Sequence, residues 1–238
     1  MKGRLWLSVL AAALIIAGGY AALFIAPDER TMHQLQRVFY VHVPIWAAMF
    51  SALTIAFIAD IGWLWTRKLH WDWLAVSAVE VGVVSCTAGL ATGMLWGRPA
   101  WGIWWTWDAK LTSAFVLWLL YVSYLLLRGL LEDPQRRATL SAVFGIFAFL
   151  DAPLVYSANR LFRTQHPAPV IFGGPNSKLD PTMAKALVLC IIAFVVMMAV
   201  ILRDRVRLER MRHELEELRE ESEMQTAAAE VPVRGESK

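Results

Sequence analysis

The chain is expected to fold as an all-α membrane protein: a six-transmembrane-helix bundle with an external tryptophan-rich loop and a C-terminal cytoplasmic helical tail. Three observations carry this expectation. The 238 residues are 58% apolar, above the roughly half usual in soluble domains. The apolar residues are gathered into six blocks, about 5–26, 43–65, 74–95, 112–130, 138–157 and 183–202. Each block holds roughly the ~20 residues that one bilayer crossing needs, and the links between them are short.

Taken in order, the first block follows Met1-Lys2-Gly3-Arg4, a charged start resembling that of a signal peptide. Its apolar run exceeds the ~7–15 residues of an ordinary signal core and so reads as a true span. The third block carries Ser85, Gly89 and Gly93 at four-residue spacing, continued by Gly97. Such a line of small residues lets a neighbouring helix pack closely. Asp133-Pro134 marks a turn before the fifth block, and Pro153 is expected to kink that block. After the sixth, Arg203 to about Met224 lacks Pro and Gly and is rich in Arg, Glu and Leu, which predicts a solvated helix. Leu208, Met211, Leu215 and Leu218 give it a narrow apolar seam. The last fourteen residues read as disordered. Residues 1–202 thus form the expected membrane domain and 203–238 the charged tail.

Orientation follows from Lys and Arg near the span ends. With the N-terminus inside, the inner segments hold twelve: Lys2, Arg4, Arg67, Lys68, Arg128, Arg136, Arg137 and the five arginines from Arg203 to Arg212. The outer segments hold seven: Arg30, Arg37, Arg98, Lys110, Arg160, Arg163 and Lys178. The bias puts both termini inside and three loops outside, at about 27–42, 96–111 and 158–182. The inner loops are 66–73 and 131–137.

The net charge of +3 needs no nucleic-acid partner, because basic residues beside spans are expected. Cys86 and Cys190 fall in mid-span with no C-x-x-C, against a thiol-redox role. No phosphate-binding G-x-x-x-x-G-K-[ST] is present, and no serine or cysteine nucleophile arrangement is visible. Asp60, Glu80 and Asp151 lie within or near spans and are candidates on that ground; Asp60 and Glu80 could simply meet Arg67 or Lys68.

The second outer loop is the most unusual segment. Five of the twelve tryptophans lie in Trp96-Gly97-Arg98-Pro99-Ala100-Trp101-Gly102-Ile103-Trp104-Trp105-Thr106-Trp107, followed by Asp108-Ala109-Lys110. If 100–108 is helical, Trp101, Trp104, Trp105 and Asp108 share one face, a platform for a large flat ligand. Arg98 and Lys110 flank it and could pair with two carboxylates. The competing reading is an interfacial aromatic belt. His33, His42 and His166 also lie outside, and neutral imidazole is a common iron ligand, one on each face of a haem.

The run from Trp96 to Thr112, with Tyr40-Val41-His42-Val43-Pro44 and Arg163-Thr164-Gln165-His166-Pro167, resembles the WWD-type haem-handling cytochrome c assembly proteins, and within them the haem exporter protein C (CcmC) family. The resemblance covers about 1–205. It departs from the family pattern at Leu161-Phe162 and at Asp151. It implies haem b bound transiently at the outer face of the bacterial inner membrane, with His42 and His166 as axial ligands. The platform would comprise Trp96, Gly97, Arg98, Pro99, Trp101, Gly102, Trp104, Trp105, Trp107, Asp108 and Lys110. The implied role is delivery to the haem chaperone CcmE, alongside an ABC-type CcmA/CcmB complex and CcmD, and not catalysis. His33 is a rival ligand that the resemblance does not support. A permease moving haem or another substrate, and a purely structural subunit, are the alternatives.

Overall fold

The structure, a computed structural model, describes residues 2–166 and 179–229. The described residues form helices and turns, with one isolated β-bridge between Glu29 and His33. Six helical segments are long and apolar enough to cross a membrane, one for each apolar block. Helix α1 (Lys2–Tyr20) ends in a π-helical turn (Ala21–Ile25), and a 3-10 turn (Gln34–Val38) leads into α2 (Phe39–Thr66). Next come α3 (Leu69–Trp101) and α4 (Ala109–Leu130). Helices α5 (Pro134–Phe149) and α6 (Asp151–Leu161) share the fifth crossing, and α7 (Pro181–Ala229) supplies the sixth.

The fifth crossing breaks at Leu150, as the proline predicted. Pro153 lies in the first turn of α6, where its missing N–H leaves no helical bond unmade. Helix α7 has 49 residues and so runs roughly 74 Å at ~1.5 Å per residue. That is more than twice the ~30 Å of bilayer hydrocarbon, and residues 214–226, all exposed, run on beyond the last contact with α3 at His213. Residues 225–229, read as disordered, are helical instead. Ala227, Ala228 and Ala229 are strong helix formers, and the first proline comes only at Pro232. The rest of that terminal stretch, 230–238, lies outside the described residues.

Loops are shorter than expected: the inner ones, expected at 66–73 and 131–137, reduce to 67–68 and 131–133, and two outer changes bear on the site. Helix α2 begins at Phe39, not near 43, so His42 stands on a helix. Phe39, Val43, Trp46 and Phe50 recur at helical spacing on its cavity-facing side. Helix α3 runs on to Trp101, and Gly102 ends it at φ 79° with its N–H donating to Arg98 O at 2.9 Å. Only glycine adopts this left-handed C-terminal geometry without strain. The helix supposed over 100–108 therefore does not form, and residues 102–108 make an irregular crossing to α4.

Helices α2 and α3 pack along the predicted small-residue line. Gly89 lies under Trp46, where an added Cβ would come within 2.8 Å of the indole. Away from the site, Arg128 and Asp72 form a buried two-pronged ion pair, Nη1–Oδ1 2.6 Å and Nη2–Oδ2 2.9 Å, joining α4 to α3. Glu80 pairs with Arg205 of α7, and Asp60 is buried with the Tyr124 hydroxyl 3.5 Å away. Neither acid meets Arg67, which donates to Thr139 at 2.6 Å. Both cysteines are buried and unbridged. Exposed apolar side chains such as Phe24, Val84 and Leu126 suit helix faces turned to lipid.

Candidate functional site

A cavity of about 650 Å³ lies among the ends of α2, α3, α4 and α6, with α7 closing one side. This size is within the ~300–1,000 Å³ usual for ligand sites. Its walls are chiefly indole, phenyl and aliphatic groups, with few polar ones. His42 enters from the first turn of α2, and His166 from the segment after α6.

The two imidazole rings lie 6.4 Å apart, centroid to centroid, with 26° between their planes. His42 Nδ1 is 2.9 Å from the Thr92 hydroxyl of α3. Its ring also meets Trp46 edge-on at 6.1 Å. Trp101 meets His166 edge-on at 6.0 Å, and Trp96 meets Trp101 at 5.1 Å. Such edge-to-face contacts exploit the opposed charge of ring edge and ring face, and they lock ring orientations.

The segment carrying His166 is tied to the tryptophan-rich segment through Asp108. One carboxylate oxygen, Oδ1, accepts from Leu111 N at 2.9 Å and caps α4. The other, Oδ2, accepts from the Thr164 hydroxyl at 2.6 Å and from Gln165 N at 3.2 Å. Thr164 Oγ1 in turn accepts from His166 N at 3.1 Å. Partial burial raises the Asp108 pKa, but the hydrogen bonds from Leu111, Thr164 and Gln165 oppose this, and the net effect holds the carboxyl below its ordinary value.

Of the residues the sequence singled out, His42, His166, Trp96, Trp101, Trp104, Trp105 and Lys110 line the cavity. The rest frame it. Gly97 and Pro99 belong to the last turns of α3, and Gly102 ends that helix. Arg98 is at the rim, with Nη1 donating to Gly102 O at 2.6 Å. Trp107 is 74% exposed and stacks edge-on with Trp105 at 5.7 Å. Lys110 Nζ donates to Val155 O at 3.0 Å. His33 is exposed in a turn away from the cavity, and Asp151 does not reach it.

Sequence reasoning missed Gln36, Trp46, Phe50, Tyr156 and Asn159, which also line the cavity. Trp46 carried a usable signal, since it follows His42 by one helical turn. Thr92 carried none, and Gly89 and Gly93 signalled only close helix packing, because which side chains they face depends on how α3 registers against α2.

Six crossings and an indole-walled cavity holding a histidine pair define a multi-pass membrane protein with an apolar, aromatic site at one end of its bundle. The chain belongs to the heme exporter protein C (CcmC) family, whose description matches residues 2–221. It is 33% identical over 213 residues to heme exporter protein C of Bradyrhizobium diazoefficiens, covering 85% of this chain and 80% of that protein. It is 29% identical over 206 residues to heme exporter protein C of Escherichia coli K12, covering 85% and 81%. To heme exporter protein C of Paracoccus denitrificans it is 28% identical over 215 residues, covering 88% and 87%. Membership assigns the chain to transport and assembly in cytochrome c biogenesis, not to catalysis.

Proposed function

We propose that the cavity binds haem b, with His42 and His166 as axial ligands, and that the chain delivers it to the haem chaperone CcmE. The observation that carries this reading is the 6.4 Å separation of the two imidazole rings. Opposed metal–nitrogen bonds of roughly 2.0–2.1 Å each, with the ring radii added, bring two imidazole centroids to about 6 Å. Among the described residues, no three His, Cys, Asp or Glu side chains gather as a metal cluster. A histidine pair alone therefore suits an iron that arrives with its other ligands, as haem iron does.

Trp96, Trp101, Trp104 and Trp105 supply apolar and aromatic surface for the flat ring, and they exclude water around it. Lys110 offers an ammonium to one propionate. Arg98, at the rim, keeps further guanidinium N–H groups for the other. Trp107, Gly97, Pro99, Gly102 and Asp108 shape the wall from behind. Trp104, which lines the cavity, is 56% exposed, which leaves an open mouth where an acceptor protein can reach the ligand. Delivery requires the axial bonds to be exchanged there.

In this reading the cavity is at the outer face of the inner membrane, and both termini are cytoplasmic. Residues 1–202 form the membrane domain and 203–238 a cytoplasmic tail. The ABC-type CcmA/CcmB complex and CcmD are the working partners. The test is a handover assay in which haem-loaded chain is mixed with the purified haem chaperone. Haem is expected to move to the chaperone, and the transfer is expected to be lost in Trp101→Ala. A Trp101→Ala chain that binds and transfers haem like the wild type contradicts the reading.

A further inference from the structure

We propose that Thr92 is the positioning residue of His42, holding its imidazole in the tautomer that carries the proton on Nδ1. The inference rests on the reading of His42 as an iron ligand and adds the device that prepares it. A neutral imidazole binds metal only through the nitrogen that lacks a proton, and the hydrogen bond made by the other nitrogen decides which one that is.

Thr92 lies on α3 and has one hydroxyl hydrogen to place. Its Oγ1 is 2.9 Å from Ala88 O and 3.1 Å from Gly89 O, the carbonyls one turn back. Carbonyl oxygens only accept, and back-bonding of this kind is the usual state of a helical threonine hydroxyl. With its hydrogen committed there, Oγ1 has only lone pairs left for His42. At 2.9 Å from Nδ1, it accepts, so Nδ1 must carry the proton. Nε2 then keeps the lone pair that a metal ligand needs.

The backbone of α3 makes this contact feasible. Gly93 adjoins Thr92, and a Cβ there would lie 3.2 Å from His42 Cε1. Any side chain at 93 would press on the ring edge that Thr92 holds. Gly89, one turn earlier, admits Trp46, whose indole meets the same imidazole edge-on. The small-residue line of α3 thus seats the ring, and Thr92 sets its proton.

The test uses the full-length chain in detergent with its histidines labelled with nitrogen-15, before haem is added. The ring-nitrogen signals of His42 are assigned by their loss in His42→Ala. The wild type and Thr92→Ser, which keeps the hydroxyl, are expected to show a protonated Nδ1. Thr92→Val, which keeps the shape and removes the acceptor, is expected to shift the ring toward the Nε2-protonated form and weaken haem binding about 10–100-fold. A wild-type ring protonated on Nε2, or a Thr92→Val chain with unchanged tautomer and affinity, overturns the proposal. Wild-type haem binding in His42→Ala would instead overturn the ligand assignment, and the tautomer signals would still judge Thr92.

Discussion

Asp108 Oδ2 accepts a 2.6 Å hydrogen bond from the Thr164 hydroxyl, joining two segments 56 positions apart in the chain. The same carboxylate caps α4 through Leu111 N. One side chain therefore fixes where the indole-rich segment ends and where the His166 segment begins. Removing the two halves of this arrangement separately should give different results. Thr164→Val keeps the cap, so its thermal stability should stay near that of the wild type. Its haem affinity should fall about tenfold, in line with the loss of an outer-shell partner. Asp108→Ala should lose haem affinity and, with the cap, about 1 kcal/mol of stability. Equal melting temperatures for Asp108→Ala and Thr164→Val would refute the capping role.

The same carboxyl gives a pH dependence. Asp108 lies outside the membrane spans, and its pKa is lowered by the hydrogen bonds of Leu111, Thr164 and Gln165, which outweigh its partial burial. A depressed carboxyl pKa contributes stability that is present above the unfolded value of about 3.9 and lost as pH falls through the folded value. Melting temperatures of wild type and Asp108→Asn should therefore differ at neutral pH and converge below about pH 4. A gap that persists undiminished in acid would contradict this account.

Close packing of α2 on α3 sets the position of His42. At Gly89 a Cβ would come within 2.8 Å of Trp46, so Gly89→Ala should cost about 1–3 kcal/mol by overpacking. At Gly93 the approach to His42 is 3.2 Å. Gly93→Ala should destabilise less and instead alter the spectrum of bound haem by moving the ring. Gly19, with nothing within 4 Å of an added Cβ, is the control, and Gly19→Ala should be neutral or stabilising. Thermal unfolding in detergent ranks the three, and a Gly89→Ala chain as stable as Gly19→Ala would sink the packing argument.

Much of this could be read from the residues. Six apolar blocks gave six crossings, because hydropathy reports directly on lipid exposure. The order of His42, the indole-rich run and His166 pointed to one site. Contacts across helices were harder. Thr92 meets His42 only because α3 registers against α2 in one way, and hydropathy carries no register. Helix ends were also misjudged. Gly102 was an available stop signal for α3, and Asp108 a capping residue before Ala109-Lys110-Leu111. Placing 96–111 in an outer loop, with a separate helix supposed over 100–108, hid both. The helical face supposed for Trp101, Trp104 and Trp105 does not exist, yet all three reach the cavity. The turn at Gly102 brings them together instead.

Lys110 supplies the cavity's ammonium, with Nζ donating to Val155 O at 3.0 Å. If it also meets a propionate, Lys110→Met should weaken binding of haem about tenfold or more, the range for a charge-assisted hydrogen bond. Binding of haem dimethyl ester, which has no propionate charge, should change little. Equal losses for the two ligands would mean that Lys110 only supports the fold through Val155.

The central claim is that His42 and His166 hold one iron between them. Absorption spectra of the purified, haem-loaded chain, oxidised and reduced, test it most directly. Six-coordinate bands are predicted for the wild type and for His33→Ala. In His42→Ala and His166→Ala those bands should be replaced by five-coordinate or unbound haem. Six-coordinate haem that survives in both of those variants, or that disappears in His33→Ala, would contradict the account.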